Sequence, residues 1–91
     1  MIELVQIKRL DEESFALSTI FVNPKHILYL SEDRVFKSYL REGKMKIGLN
    51  TQTEFTKLKM HEGDRTAELT IVGDVRAIQK KMLNKKQLLR D

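Results

Sequence analysis

The chain has no cysteine and no tryptophan, and its 91 residues include one proline, four glycines and two histidines. Each scarcity closes off a kind of chemistry. Without cysteine there is no disulfide framework, no thiolate nucleophile and no thiolate zinc site, and nothing points to an oxidising compartment, so a cytoplasmic setting is expected. His26 and His61 stand alone, each beside a predicted turn and without a partner at ligand spacing, as surface histidines do. The glycines at 43, 48, 63 and 73 build no phosphate-binding loop, and no serine sits in a Gly-x-Ser-x-Gly context. The acidic run Asp11-Glu12-Glu13 lacks the alternating ligands and the glycine of a calcium loop. A non-enzymatic protein without cofactor or metal is the expectation.

Long apolar runs are missing as well. The longest uncharged stretches lie between Glu13 and Lys25 and between Lys25 and Glu32, well short of the ~20 apolar residues that span a bilayer. The N-terminus carries no basic region followed by an apolar stretch. Neither secretion nor a membrane partner is expected.

What is present is ordinary for a soluble domain: 41% hydrophobic and 33% charged residues. The length suits one domain, residues 1–91, and such a chain buries only roughly 60 to 65% of its unfolded surface. A homo-oligomer would extend that modest core.

Ile2 to Leu10 and Phe15 to Val22 are rich in β-branched and aromatic residues, with Asp11 to Ser14 between them, which predicts a β-hairpin. In the second strand Phe15, Leu17, Thr19 and Phe21 alternate with Ala16, Ser18, Ile20 and Val22, so both faces are expected to be at least partly covered. Asn23-Pro24 breaks the run and Ile27 to Leu30 resumes it. Over Ser31 to Gly43, Val35, Phe36, Tyr39 and Leu40 recur at helical spacing, with Ser31 as cap and Gly43 as left-handed terminator. A second hairpin competes there, because Glu32-Asp33 and Glu42-Gly43 could each turn the chain. Met45, Ile47 and Leu49 alternate with Lys44, Lys46 and Gly48, which suggests a short strand.

Glu54 to Val72 reads as a hairpin closed at Gly63-Asp64. Setting Glu62 against Arg65 pairs Met60 with Ala67, Leu58 with Leu69, Thr56 with Ile71 and Lys59 with Glu68, so like chemistry meets on each face. Closing on Glu62-Gly63 would set Met60 against Arg65 and mix the two. Asp74 is a suitable N-cap for a last helix whose Val75, Ile78, Met82 and Leu89 lie near one stripe. The expected fold is α+β: an antiparallel sheet of five to six strands, a middle helix and a basic C-terminal helix.

Charge is unevenly spread. Residues 1 to 72 hold eleven Lys plus Arg and eleven Asp plus Glu, whereas Gly73 to Asp91 carries Arg76, Lys80, Lys81, Lys85, Lys86 and Arg90 against Asp74 and Asp91. Beyond Asn84 only Leu88 and Leu89 could hold the helix down, so its end is expected to project or fray. Lysines also suit a helix C-terminus through the dipole, which would make the segment a plain solvated face. The functional alternative is contact with a polyanion. Lys57 and Lys59 share a strand face with Phe55, a pattern that sheets use on single-stranded nucleic acid, although Phe55 lies across from Val72 and is placed under the terminal helix. The nucleic-acid-binding candidates are therefore Arg76, Lys80, Lys81, Lys85 and Lys86, with Lys57 and Lys59 beside them.

At FVNPKHILYL, EFTKLKMHEG and TIVGD the chain resembles small accessory proteins of large tailed bacteriophages, and its N-P-x-x-I element is similar to one in small flagellar proteins. The phage resemblance implies a protein that binds and diverts a host component, and it implies no site residue. Two partners stay open: nucleic acid or a nucleotide ligand met by the basic helix, or a host protein met by a sheet edge or an apolar patch, with the lysines conferring solubility.

Overall fold

The computed structural model describes the backbone from Met1 to Arg90 and the side chains from Met1 to Leu83. It shows an α+β fold of five strands and two helices, ordered β1 (Ile2–Arg9), β2 (Phe15–Val22), a 3-10 turn (Pro24–His26), β3 (Ile27–Glu32), α1 (Arg34–Arg41), β4 (Phe55–Glu62), β5 (Arg65–Val72) and α2 (Val75–Arg90). The strands form one antiparallel sheet in the order β2-β1-β5-β4-β3.

Two hairpins supply most of it. β1 and β2 pair along their whole length, from Ile2 with Val22 to Arg9 with Phe15. Asp11 closes the loop between them, its Oδ1 accepting the N–H groups of Glu13 and Ser14 at 2.9 and 2.8 Å. β4 and β5 pair in the register expected from their side chains, Glu62 with Arg65 through Phe55 with Val72. Gly63, at φ +65°, is the first central residue of this two-residue turn and Asp64 keeps a negative φ, the arrangement of a type II′ turn. The hairpins join through β1 and β5, where Gln6 faces Ile71 and Ile7 faces Thr70.

Because side chains alternate, the sheet has two faces, each with its own core. One is covered by α2: Ile2, Leu4, Val22, Leu58 and Ile71 surround Ile78, with Met82 packed against them. The other is covered at one end by α1 and the segment after it. There Ile7, Leu40, Met45 and Phe55 are buried, with Phe15, Phe36 and Tyr39 around them, and the ring centroids of Phe36 lie 6.0 Å from Phe15 and 6.1 Å from Phe55.

α1 starts later than its spacing suggested. Ser31 and Glu32 continue β3, paired with Lys57 and Thr56, so the cap falls to Asp33, whose Oδ1 accepts from the N–H groups of Val35 and Phe36 at 2.9 and 3.2 Å. Gly43 ends the helix at φ +74°, and the Gly43 and Lys44 N–H groups donate back to the carbonyls of Leu40 and Tyr39, a Schellman closure.

The strand expected over Met45 to Leu49 does not form. Gly48 takes φ +75°, which breaks an extended run. The alternation had another cause, since Met45, Ile47 and Leu49 all turn into the core beneath α1 without a ladder.

Candidate nucleic-acid interface

α2 begins where Asp74 Oδ1 accepts the Ala77 N–H at 2.7 Å, and Gly73 leads into it at φ +124°. Gly73 is held on both sides: its N–H donates to the Glu54 carbonyl, and its own carbonyl accepts from the buried Thr56 hydroxyl, each at 2.8 Å. The start of the helix is thereby tied to β4. Ile78 then anchors it on the sheet, and helical spacing turns Arg76 and Lys80, four residues apart, outward together, both exposed. Lys81 leans toward β1, its ammonium donating to the Glu3 carbonyl at 2.9 Å.

Among the described residues, Arg76, Lys80 and Lys81 form no ion pair. Four cations elsewhere are matched: Lys37 meets Glu54 at 2.6 Å, Lys44 meets Glu42 at 3.0 Å, Lys57 meets Glu68 at 3.7 Å and Arg34 meets Glu32 at 3.8 Å. Lys8, Arg9, Lys25, Arg41, Lys46, Lys59 and Arg65 form no ion pair among the described residues either, so what sets α2 apart is the scarcity of acidic residues along its own segment. The one acidic residue of the early helix, Asp74, is occupied in capping.

Lys57 and Lys59 do not join this group. They share strand parity with Phe55 and so lie on the face opposite Leu58, which touches the α2 core. Phe55 accordingly packs beneath α1 and the Met45 segment, not under the terminal helix, and at 1% exposure it offers no ring for a base to stack on. The ring that does stand beside Lys59 is Tyr29 of β3, its centroid 6.0 Å from the ammonium. Its position was readable only from the β3-β4 register, in which Tyr29 faces Lys59. The places of Lys85 and Lys86, and the expected fraying of residues 84–91, fall outside the described side chains.

The surroundings of α2 limit what it can hold. A shallow depression of about 270 Å³ at its start is lined by Glu32, Glu54, Phe55, Asp74, Val75 and Arg76, and three carboxylates around one guanidinium disfavour a phosphate there. The two carboxyls with displaced titrations both lie elsewhere. Asp11 is held below its ordinary value chiefly by the Glu13 N–H and then by Ser14, and Glu42 is lowered by its hydrogen bond to Lys44 and by that ammonium's charge.

Beyond α1 the second face of the sheet is open. On β2, Leu17, Thr19 and Phe21 are exposed, Phe21 at 64% and Leu17 at 42%, and Val5 of β1 stands beside them. Both faces of β2 were expected to be at least partly covered, and on this face the cover is confined to one end, because α1 is short and reaches only Phe15. No helix among the described residues is long and apolar enough to cross a membrane. Compared with known proteins, the chain matches no family model, no curated protein and no solved structure.

Proposed function

We propose that the protein is a non-enzymatic, cytoplasmic regulatory protein that binds an anionic partner, nucleic acid before a nucleotide ligand, through its basic C-terminal helix. The supporting observation is the basic ridge on α2, where Arg76, Lys80 and Lys81 are exposed and none forms an ion pair among the described residues, with Lys80 and Lys81 lying clear of the carboxylates that line the depression beside Arg76. Unmatched cations on one surface attract phosphate and gain affinity by releasing its counterions. In sequence Lys85 and Lys86 extend the ridge. A polymer running along the helix suits this pattern better than a compact nucleotide, because the depression at the helix start is acidic.

Fluorescence anisotropy with labelled single- and double-stranded DNA and RNA, at several salt concentrations, tests the reading. Three phosphate contacts give a slope of log affinity against log salt near −2.7 on a duplex, and six give roughly −5.4. Absence of binding to DNA, RNA and free nucleotides at low salt would discard it.

A second reading is a protein-binding inhibitor or adaptor, favoured by the exposed Phe21, Leu17 and Val5. The resemblance to phage accessory proteins would make its target a host component. Pull-down from a nuclease-treated host lysate separates the two readings, since a directly bound protein survives the treatment and a nucleic-acid bridge does not.

A further inference from the structure

We propose that β2 is a self-pairing edge, through which two copies of the chain join antiparallel into one continuous ten-stranded sheet. The sheet has two edges, β2 and β3, and they are built differently. β3 carries the usual protections: Pro24 lies just before it, a register shift interrupts it between Ile27 and Tyr29, and it ends on Glu32. β2 carries none. Its eight residues, FALSTIFV, include no charge and no proline, pair with β1 without a bulge, and leave their outer side without a strand partner among the described residues. A long, unbulged, uncharged edge invites another strand.

The second strand is assigned to another copy because the sequence around β2 complements its own reverse. A two-fold axis through Thr19, normal to the sheet, sets residues against each other so that their numbers sum to a constant and their side chains share a face. Thr19 then meets Thr19 of the other copy, Leu17 meets Phe21, Ala16 meets Val22 and Ser18 meets Ile20, joining the exposed apolar groups of both copies into one patch. The same axis brings opposite charges together at the strand ends. The loop with exposed Glu12 and Glu13 reaches the turn with exposed Lys25, setting Glu13 toward Lys25, while Glu12 lies toward the side chain of His26. The patch formed by Val5, Leu17 and Phe21 supplies the apolar part of the contact, and the acidic and basic ends set its direction. Both α2 helices end on the same side of the joined sheet, whatever they bind.

Because the chain has no native cysteine, one introduced thiol reports the axis. Treated with oxidised glutathione as the two-electron acceptor, Thr19→Cys is expected to form a disulfide-linked dimer, since directly opposed strand residues bring their Cβ atoms within about 5 Å. Thr66→Cys, exposed on the same face of a strand inside the sheet, is expected to stay monomeric on a denaturing gel. In sedimentation, Thr19→Lys sets like charges across the axis and is expected to raise the dimer dissociation constant by at least about tenfold. Glu13→Lys is expected to weaken association severalfold, and adding Lys25→Glu to restore it. All five variants change only exposed residues, and circular dichroism checks that each remains folded. A folded wild type that sediments as a monomer up to millimolar concentration overturns the proposal. So does a dimer that Thr19→Lys leaves intact, or one that cross-links at Thr66 and not at Thr19.

Discussion

Asp33 is where the most structure depends on the fewest atoms. It is 3% exposed and connects four elements: its backbone N–H donates to the Phe55 carbonyl, Oδ1 caps α1, and Oδ2 accepts from the Thr70 hydroxyl at 3.3 Å. β3, α1, β4 and β5 thus meet at one residue, with α1 and β5 held by its carboxylate and β4 by its backbone N–H. Asp33→Ala removes the cap and strands those donors, so a loss of about 2 to 3 kcal/mol is expected in urea unfolding. Asp33→Asn keeps an acceptor toward the helix and is expected to lose less than half as much. Equal stability of the alanine variant and the wild type would show that the cap carries no weight. The sequence pointed to Ser31 as the cap, and the structure gives that place to Asp33, because a capping side chain is chosen by where the preceding strand stops, and that depends on the Glu32-Thr56 pair in a distant strand.

At the scale of elements, the described part of α2 is attached through few side chains. Val75 is half-buried, Ile78 is 2% exposed, Met82 packs beside it, and Leu83 is 59% exposed. Burying an isoleucine stabilises by roughly 1.5 to 3 kcal/mol, so Ile78 holds most of the docking energy of the described part of the helix. Ile78→Ala is expected to cost about 2 to 4 kcal/mol through the lost burial and the cavity left behind. Alanine is the better helix former, so this loss measures docking and not helix propensity. Leu83→Ala, on the exposed side, is expected to stay within about 0.5 kcal/mol of wild type. Chemical denaturation of the two variants side by side checks the contrast, and equal losses would mean that α2 sits differently on the sheet. The apolar stripe of α2 was legible in the sequence because helical period alone places Ile78 and Met82 together. The segment Met45 to Leu49 shows the opposite case. Its alternation recorded which side chains are buried, but alternation is shared by strands and by loops that lie across a core, and only a free partner strand makes a ladder.

Over the whole molecule, the sheet divides the basic candidates between two sides. Arg76, Lys80 and Lys81 belong to the side covered by α2, and Lys57 and Lys59 to the other, where Lys57 is paired with Glu68. A single straight polyanion cannot engage both groups at once. Replacing Arg76, Lys80 and Lys81 together by alanine is therefore expected to flatten the salt dependence of nucleic-acid binding by up to about 2.7 in slope. Replacing Lys57 and Lys59 is expected to leave that slope unchanged. The anisotropy titration that tests the proposed function reads both variants, and a larger effect from the Lys57 and Lys59 pair would move the interface to the α1 side of the sheet.

Local chemistry determined much on its own. The two hairpins, the Glu62-Arg65 register, the Gly43 terminator and the confinement of net charge to the last nineteen residues follow from neighbours in the chain, because turns, strand parity and helix caps act over a few residues. Tertiary packing decided the rest. Which face Phe55 enters, why Lys57 stands apart from Lys80, and why Phe21 is left bare depend on where α1 and α2 settle across a sheet joined by β1 and β5. That joint links residues some sixty-five positions apart, and no local pattern encodes which side of it a helix will cover.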